Sequence, residues 1–227
     1  MPRDLPIFPL PLVLFPGAVQ PLHIFEPRYC ELLADCLAGD KRFGIAYAAP
    51  QPGGGDPAPE PGDVGCIAVV RSTHPLPEGR SNVLTMGERR FVLLEWCASE
   101  RSYRVGRVEE FDDEPVDLSE AMTLAADVRE RFTRLAAALG LLTDREHEHV
   151  ELPTDPQGLS FQVAAALELE PKAKRALLEI RSTAVRLRRL AALLGPLATD
   201  AERRAVVRRR AKGNGQGGPR PQIERAP

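Results

Sequence analysis

The sequence predicts an α+β fold, with a β-rich N-terminal half that is followed by a C-terminal bundle of helices. Three observations support this prediction. Prolines interrupt the apolar runs of the first thirty residues, and short alternating runs joined by tight turns continue to residue 111. At residues 117–119 the apolar period changes from 2 to 3.6, which is typical of a change from strands to helices.

The first strands are expected to be short and bent. Proline removes a ladder donor and is confined to strand starts, edges and bulges, so this pattern favours a small barrel-like sheet over a flat central one. The five prolines that interrupt these runs are Pro6, Pro9, Pro11, Pro16 and Pro21. Pro27 suits the first turn of a helix, which should run to about Leu37 and end at Gly39.

The next segments read as an antiparallel meander, because short turns join consecutive strands. Turns are expected at 77–80 and at Gly87. The predicted strands are 42–49, 64–73, 82–86, 90–97 and 103–111. The segment 50–63 holds five prolines and four glycines, so it is expected to be a mobile surface loop.

Helices follow from residue 117. Ser119 is a candidate N-cap for a helix over 120–139 that Gly140 ends, and 142–158 is expected to be irregular. Ser160 is the candidate cap of a helix through 169, and Pro171 opens another to about residue 180. We therefore expect a β-rich unit over 1–116, a helical unit over 117–212 and a disordered tail over 213–227.

One apolar seam allows two interpretations. Its members recur every three or four residues, which fits one continuous helix; they are Leu177, Ile180, Ala184, Leu187, Ala191 and Leu194. Ser182 and Thr183 could instead cap a new helix, and we favour this break. That helix should end at Gly195-Pro196, before a last helix over 199–212.

Several motifs resemble the N-terminal substrate-binding domain of Lon-type ATP-dependent proteases. They are L-P-x-F-P-L from Leu5, L-F-P-G from Leu14, P-L-H-I-F-E-P-R-Y from Pro21, and the later G-D-V-G and R-S-N-V-L-T-M-G-E-R-R-F. The resemblance covers about residues 4–205. It implies a PUA-like pseudo-barrel followed by a helical bundle, a break in the 177–194 seam, and a substrate-binding role.

Composition excludes several classes of protein. With 43% hydrophobic and 27% charged residues the chain can bury a core, and no apolar stretch approaches the roughly 18 residues of a membrane span. The N-terminus does not resemble a signal peptide, so a cytoplasmic protein without a membrane partner is expected. The four cysteines form no C-x-x-C pair and are expected to be small, reduced core residues.

Charge is distributed unevenly along the chain. Residues 1–170 carry 15 basic and 28 acidic side chains, whereas 171–212 carry 13 basic and 3 acidic ones. The basic part could meet an acidic partner, nucleic acid or the acidic half of the same chain. No aromatic residues are interleaved with Arg208-Arg209-Arg210 to stack bases. Arg71, Arg89 and Arg90 are expected on solvated faces of strands.

No catalytic motif is present in the sequence. There is no G-x-x-x-x-G-K-[ST] phosphate loop and no recognisable nucleophile motif, so we expect neither ATPase nor peptidase activity. His147 and His149 lack a third ligand at metal-binding spacing, and no metal or cofactor is expected. His23 is expected to form a structural hydrogen bond, and Glu26 and Arg28 a helix cap and a local ion pair.

The expected function is binding without catalysis. The resemblance implies that the chain engages unfolded or exposed apolar polypeptide segments, with a protease or chaperone as a further partner in quality control. Short strands leave edges to which an extended peptide can add. The candidate contacts are Phe8, Phe15, Leu22, Phe25 and Tyr29. The alternative is a nucleic-acid-binding module that uses the basic helical half.

Overall fold

The structure, a computed structural model, describes residues 1–50, 58–143 and 151–214. In these residues the strands are β1 (Arg3–Leu10), β2 (Val19–Ile24), β3 (Arg42–Tyr47), β4 (Val64–Pro75), β5 (Ser81–Cys97) and β6 (Val105–Glu110). The helices are α1 (Pro27–Ala38), α2 (Leu118–Thr143), α3 (Pro156–Ala166), α4 (Pro171–Leu178) and α5 (Thr183–Asn214). Half of the expected mobile loop 50–63 lies outside the described residues, namely 51–57. The tail beyond 214 and the pair His147 and His149 lie outside them as well.

Five of the strands close into a barrel. The order β5-β4-β3-β1-β6 returns to β5, because β6 pairs with both β1 and β5. Only the β1–β3 pairing is parallel among those described. β2 lies outside this ring and pairs with the first part of β5, over Ser81–Met86. The predicted barrel-like sheet followed by helices is therefore confirmed.

The barrel interior is filled by a few large side chains that pack against glycines. Phe91, fully buried, is the largest of them. A Cβ on Gly65 would lie 2.4 Å from the Phe91 ring, and one on Gly44 would lie 2.6 Å from the Ile7 side chain. Both glycines are thus needed because so small a barrel has no room for a side chain at these positions.

α1 covers one outer side of the barrel. Its buried face holds the residues that the helical spacing indicated, Tyr29, Leu32, Leu33 and Cys36. Tyr29 stacks on Phe8 of β1 with ring centroids 4.0 Å apart. Asp35 on the same helix accepts from the hydroxyl of Tyr103, just before β6, at 2.7 Å. The predicted helix and its predicted buried face are therefore both confirmed.

The predicted turn at Gly87 is wrong. β5 continues through it as one strand of 17 residues, and register shifts let it bend between its two pairings. The glycine is required for another reason. A Cβ there would lie 2.2 Å from the carbonyl oxygen of Phe15, and the backbone of Gly87 exchanges hydrogen bonds with Gly17 and Ala18. Close approach of two backbones, not chain reversal, explains this residue.

Two predicted helix caps are wrong by a few residues. Asp117, not Ser119, caps α2, since its carboxylate accepts from the backbone N–H of Ser119 at 2.8 Å. Asp155 likewise caps α3 by accepting from Gly158 N–H at 2.6 Å, so that Ser160 lies within the helix. In both cases an aspartate just upstream competes for the orphan N–H groups that the serine was expected to satisfy.

The break in the 177–194 seam is confirmed, because α4 ends at Leu178 and α5 begins at Thr183. The predicted ends at Gly140 and at Gly195-Pro196 are both wrong. Gly140 lies inside α2, and Pro196 lies inside α5, which continues to Asn214. Proline in a helix interior removes a hydrogen bond, so the surrounding packing has to offset that loss.

That packing comes from α2, which runs parallel to α5. Arg188 contacts Glu120, and further along both helices Arg134 contacts Glu202 at 2.9 Å. Residue numbers therefore rise together along the pair. The seam of α5 is buried at heptad-like spacing over Leu187, Leu190, Leu194, Ala198, Ala201 and Ala205. Because both sides of Pro196 contribute to this seam, one continuous helix is favoured over two.

A buried charge cluster joins the sheet to the helices. Asp113, in the segment between β6 and α2, lies between Arg90 of β5 and Arg186 of α5. The Arg90 and Arg186 side chains are 2% and 0% exposed, so the prediction that Arg90 lies on a solvated face is wrong. The carboxylate also accepts from the Thr183 hydroxyl. Three segments far apart in sequence thus meet at one carboxylate.

The other donors of both guanidinium groups are satisfied. Arg90 donates to the Leu178 and Ile180 carbonyls at 2.5 and 2.9 Å, and Arg186 donates to Ser160 at 2.7 Å. The Arg186 guanidinium also lies 3.9 Å from the centre of the Phe161 ring. Burial lowers the pKa of Arg90 to about 10, so it keeps its charge at neutral pH. Full satisfaction is what makes burial of these charges tolerable.

We predict that Asp113→Asn destabilises the fold by about 3 kcal/mol or more, because two buried cations lose their shared counter-charge. The measurement is the free energy of unfolding in urea. Asp112→Asn is the matched control: that side chain is exposed, and its effect should stay within about 0.5 kcal/mol. Equal stability of the two variants would show that the cluster does not hold the halves together.

Candidate functional site

β2 is an edge strand. It pairs with β5 on one side, and within residues 1–50, 58–143 and 151–214 no strand pairs with its other side. The carbonyl of Ala18 accepts from Gly87 N–H, and the carbonyl of Gln20 accepts from the Thr85 hydroxyl. These even-numbered residues therefore direct their backbone groups towards β5.

The alternate residues of β2 direct their backbone groups away from the sheet. In an antiparallel pair the hydrogen-bonding direction alternates at each residue, so Val19, Pro21 and His23 face outwards. Pro21 lacks an N–H, which costs nothing at an outward position and explains its place in the strand. Its carbonyl accepts from the Gln20 side-chain amide at 2.9 Å. Val19 and His23 keep both backbone groups directed outwards.

The side chains beside this edge form an exposed sheet surface, which we call the β2 face. Cross-strand register places Pro21 next to Leu84, and His23 next to Asn82, which in turn adjoins His74 of β4. Exposed fractions are 58% for Val19, 40% for Leu84 and 59% for Phe25. The β2 face consists of Val19, Pro21, His23, Phe25, Ser72, His74, Asn82, Leu84 and Met86.

A shallow groove of about 690 Å³ follows this surface across β2, β5 and β4. Its polar centre is the row His23–Asn82–His74. The His23 Nδ1 atom lies 2.8 Å from the Asn82 Oδ1 atom, so His23 forms the kind of structural hydrogen bond that was expected of it. The His23 ring also stacks on Phe25, with centroids 5.8 Å apart. Among the described residues no cluster of side chains could hold a metal ion.

The five candidate contacts separate into two groups. Phe8, Phe15 and Tyr29 are buried in the core, at 6%, 0% and 6% exposure. Leu22 is half-buried and lines the groove, and Phe25 is exposed beside it. Peptide contact stays a prediction for all five, and the burial of three of them leaves Leu22 and Phe25 at the surface where a peptide could lie.

Glu26 and Arg28 form the expected ion pair at 2.9 Å. The expected side-chain cap is absent: Glu26 is the N-cap residue of α1, but its side chain accepts no capping hydrogen bond. Its backbone carbonyl instead accepts from Tyr29 and Cys30 N–H. The pair therefore fixes the start of α1 next to the β2 face.

A second cleft, of about 390 Å³, lies between the barrel and the start of α3. Six of its fourteen lining residues are charged, and five of these have partners within the described residues. Arg89 pairs with Glu110 at 3.0 Å, and Asp155 caps α3. Such a cleft offers a ligand few uncommitted groups, and we do not assign it a role.

The described cysteines do not form a reactive centre. All four are free thiols. Burial raises the pKa of Cys36 to about 12 and also raises that of Cys66. A thiol whose pKa is raised in this way is a poor nucleophile at neutral pH. The prediction that these residues are small core side chains is confirmed for Cys36 and Cys66, which are buried, and is wrong for Cys30 and Cys97, which are half-buried.

Sequence reasoning missed Val19 and Leu84, the most exposed apolar residues of the strands that form the β2 face. The signal was present in the alternation of V-Q-P-L-H-I, where one set of alternate residues is half-buried or buried and the other is exposed.

As for membrane association, none of the described helices is long and apolar enough to cross a bilayer.

Comparison with known proteins gives one family. Residues 4–195 match the model of the "ATP-dependent protease La (LON) substrate-binding domain". "Lon protease 1" of Hydrogenovibrio crunogenus is 28% identical over 173 residues, which are 74% of this chain and 21% of the relative. "Lon protease" of Trichlorobacter lovleyi is 27% identical over 199 residues, or 86% and 24%. The chain thus spans about a quarter or less of the length of these relatives.

Solved structures agree with this match. A Lon N-terminal domain protein from Xanthomonas campestris has a TM-score of 0.59 and 25% identity, covering 84% of this chain and 98% of that one. The N-terminal domain of Mycobacterium avium complex Lon protease has a TM-score of 0.62 and 20% identity, covering 87% and 99%. The second likeness concerns the fold alone.

Proposed function

The chain belongs to the family of ATP-dependent protease La (LON) substrate-binding domains, and from this premise we propose that it binds extended, apolar polypeptide segments on the β2 face. The membership supports a substrate-binding role. The single observation that carries the choice of site is the outward edge of β2, which lies directly beside exposed apolar side chains.

The edge supplies the backbone part of recognition. A bound segment would add as a further strand and exchange hydrogen bonds with Val19 and His23, and its N–H could donate to the Pro21 carbonyl. Backbone pairing does not depend on sequence, which suits a protein that receives many different clients. Because Pro21 offers no donor, this edge also resists long uninterrupted pairing with another sheet.

The β2 face supplies the apolar part. Alternate side chains of an added strand would lie next to Val19 and Phe25, and longer ones would reach Leu84. Burying such surface is favourable by about 25 cal/mol per Å² and is not weakened by salt. Segments with alternating apolar residues, which folded proteins hide and unfolded ones expose, fit this surface best.

We further propose that this binding serves proteolysis or quality control, with a protease or chaperone that receives the client, and that the protein is cytoplasmic. Family membership supports the first proposal. The four free cysteines support the second, because thiols stay reduced in the cytoplasm.

The alternative, a nucleic-acid module in the basic helical half, is not favoured by the family match. Much of the positive charge there also has partners within the chain. Arg186 is buried against Asp113, Arg188 pairs with Glu120, and Arg175 pairs with Asp63 at 2.5 Å.

We predict that Leu84→Asp weakens binding of a fluorescent peptide with alternating apolar residues by about tenfold, because it puts an unpaired charge into the apolar contact. The measurement is fluorescence anisotropy. Leu94→Asp is the matched control, since Leu94 is on the same strand at 39% exposure but ten residues away, roughly 30 Å along it. Its affinity should stay within about twofold, and equal losses would rule out the β2 face.

Strand addition predicts a periodic response to N-methylation of the peptide. Alternate residues of an added strand direct their N–H groups at β2, so methylating that set should weaken binding by roughly tenfold or more. Methylating the other set should leave the Kd nearly unchanged. Titration of the two methylated series against the unmodified peptide measures this. Equal effects of both series would exclude pairing with the edge.

We predict that the purified protein hydrolyses neither ATP nor peptides, because it has no phosphate loop and no nucleophile motif. Phosphate release and cleavage of a fluorogenic peptide measure this. Turnover that survives repurification and disappears in a point variant of this chain would overturn the prediction.

A further inference from the structure

The parallel pair of α2 and α5 extends well beyond its neighbours. α2 has 26 residues and α5 has 32, whereas α3, which packs against both, has 11. At about 1.5 Å per residue, α3 is less than half as long as either. The far part of the pair, over 134–143 and 197–209, is therefore a two-helix structure with an exposed surface.

A groove runs between the two helices in this far part, with a volume of about 280 Å³. Arg134 and Glu202 close one end with their salt bridge, and Leu141 and Arg209 line the other end. Three alanines and Val206 form the section between. Because the helices are parallel, matching positions face each other along the groove. We call this surface the α2–α5 groove.

The groove exposes apolar side chains that nothing described here covers. Leu141 is 61% exposed and Val206 is 50% exposed. Its lining residues recur at i, i+3, i+4 and i+7 on α2, which is the spacing that receives a third helix. An amphipathic helix would place its own apolar ridge between these rows.

The charges beside the groove favour an acidic partner. Residues 134–143 and 197–209 carry five arginines and two acids. Arg204 pairs with Asp200 at 2.8 Å, whereas Arg209, which lines the groove, has no ion pair among the described residues. An acidic side chain beside an apolar ridge would meet Arg209, and the net positive charge of this part of the pair favours further acidic residues around it. A second copy of the same pair would instead bring two surfaces of net positive charge together, which costs free energy.

Nucleic acid fits this groove poorly. Its phosphates would find arginines, but no aromatic side chain lines the groove to stack a base, and Leu141 and Val206 would be left against a polar polymer. The apolar floor and the net positive charge around it are together complementary to an acidic amphipathic helix.

We propose that the α2–α5 groove docks an acidic amphipathic helix of a partner protein, with apolar residues at i, i+3, i+4 and i+7 and glutamates on the flanking positions. This surface is separate from the β2 face and does not depend on peptide binding there. The helical half thus carries an interaction site of its own.

The test uses a fluorescent helical peptide of this pattern, with leucines on the ridge and glutamates beside it, titrated by anisotropy against the full chain. We expect saturable binding that Val206→Asp weakens about tenfold, since it places a carboxylate in the apolar floor. Val207→Asp is the matched control. It is the adjacent valine, at 67% exposure, it carries the same charge change, and it does not line the groove. Its affinity should stay within about twofold.

Three kinds of outcome would overturn the proposal. One is no binding of the glutamate peptide, or equal binding of a peptide with lysines in place of the glutamates. Another is an equal loss for the two valine variants. The third is that Val206→Asp leaves peptide binding unchanged but disrupts binding of another occupant. That occupant would be a second copy, detected by sedimentation, or RNA or an anionic vesicle that the unsubstituted protein binds tightly. Circular dichroism of both variants confirms that each remains folded.

Discussion

The arrangement of this molecule depends on one carboxylate. Asp113 lies between the buried guanidinium groups of Arg90 and Arg186, which come from the barrel and from α5. A buried cation that loses its partner costs several kcal/mol, so any arrangement of the helices that separates these groups is strongly disfavoured. Apolar packing alone would tolerate sliding of the helices over the sheet; this cluster, with its directed hydrogen bonds, does not.

Closure of the barrel and the position of β2 both follow from the limited room inside a small closed sheet. A closed ring removes strand edges, and small barrels achieve it by replacing side chains with glycine where opposite residues are large. Gly44 and Gly65 do this for Ile7 and Phe91. β2 is left outside the ring and paired on one side only. The edge that we propose for peptide binding is therefore a consequence of how the barrel closes, and α1 and its Glu26–Arg28 start keep it in place.

The elements that local chemistry controls could be predicted from sequence, whereas those that distant contacts control could not. Prolines indicated the bent strands and the helical spacing of α1 indicated its buried face, because both are properties of neighbouring residues. Arg90 looked like a solvated strand residue, since its partners Asp113 and Arg186 are far away in sequence. Pro196 looked like a helix end for the same reason: the support from α2 that keeps α5 continuous is not visible locally. In the site, Pro21 indicated an edge strand. The residues of β4 and β5 that lie beside this edge could be identified only from the strand register in the structure.

The uneven charge of the sequence also has a structural explanation. Because α2 and α5 are parallel, the negative ends of both helix dipoles lie at the same end of the pair, where the last carbonyls lack partners. Arg208 donates to one of them, the carbonyl of Leu142. Other basic residues of the helical half pair with acids of the β half or of α2, as Arg175 does with Asp63. Much of the positive charge thus neutralises the chain's own helix ends and carboxylates, whereas Arg209, which lines the α2–α5 groove, has no ion pair among the described residues and is available to an external ligand.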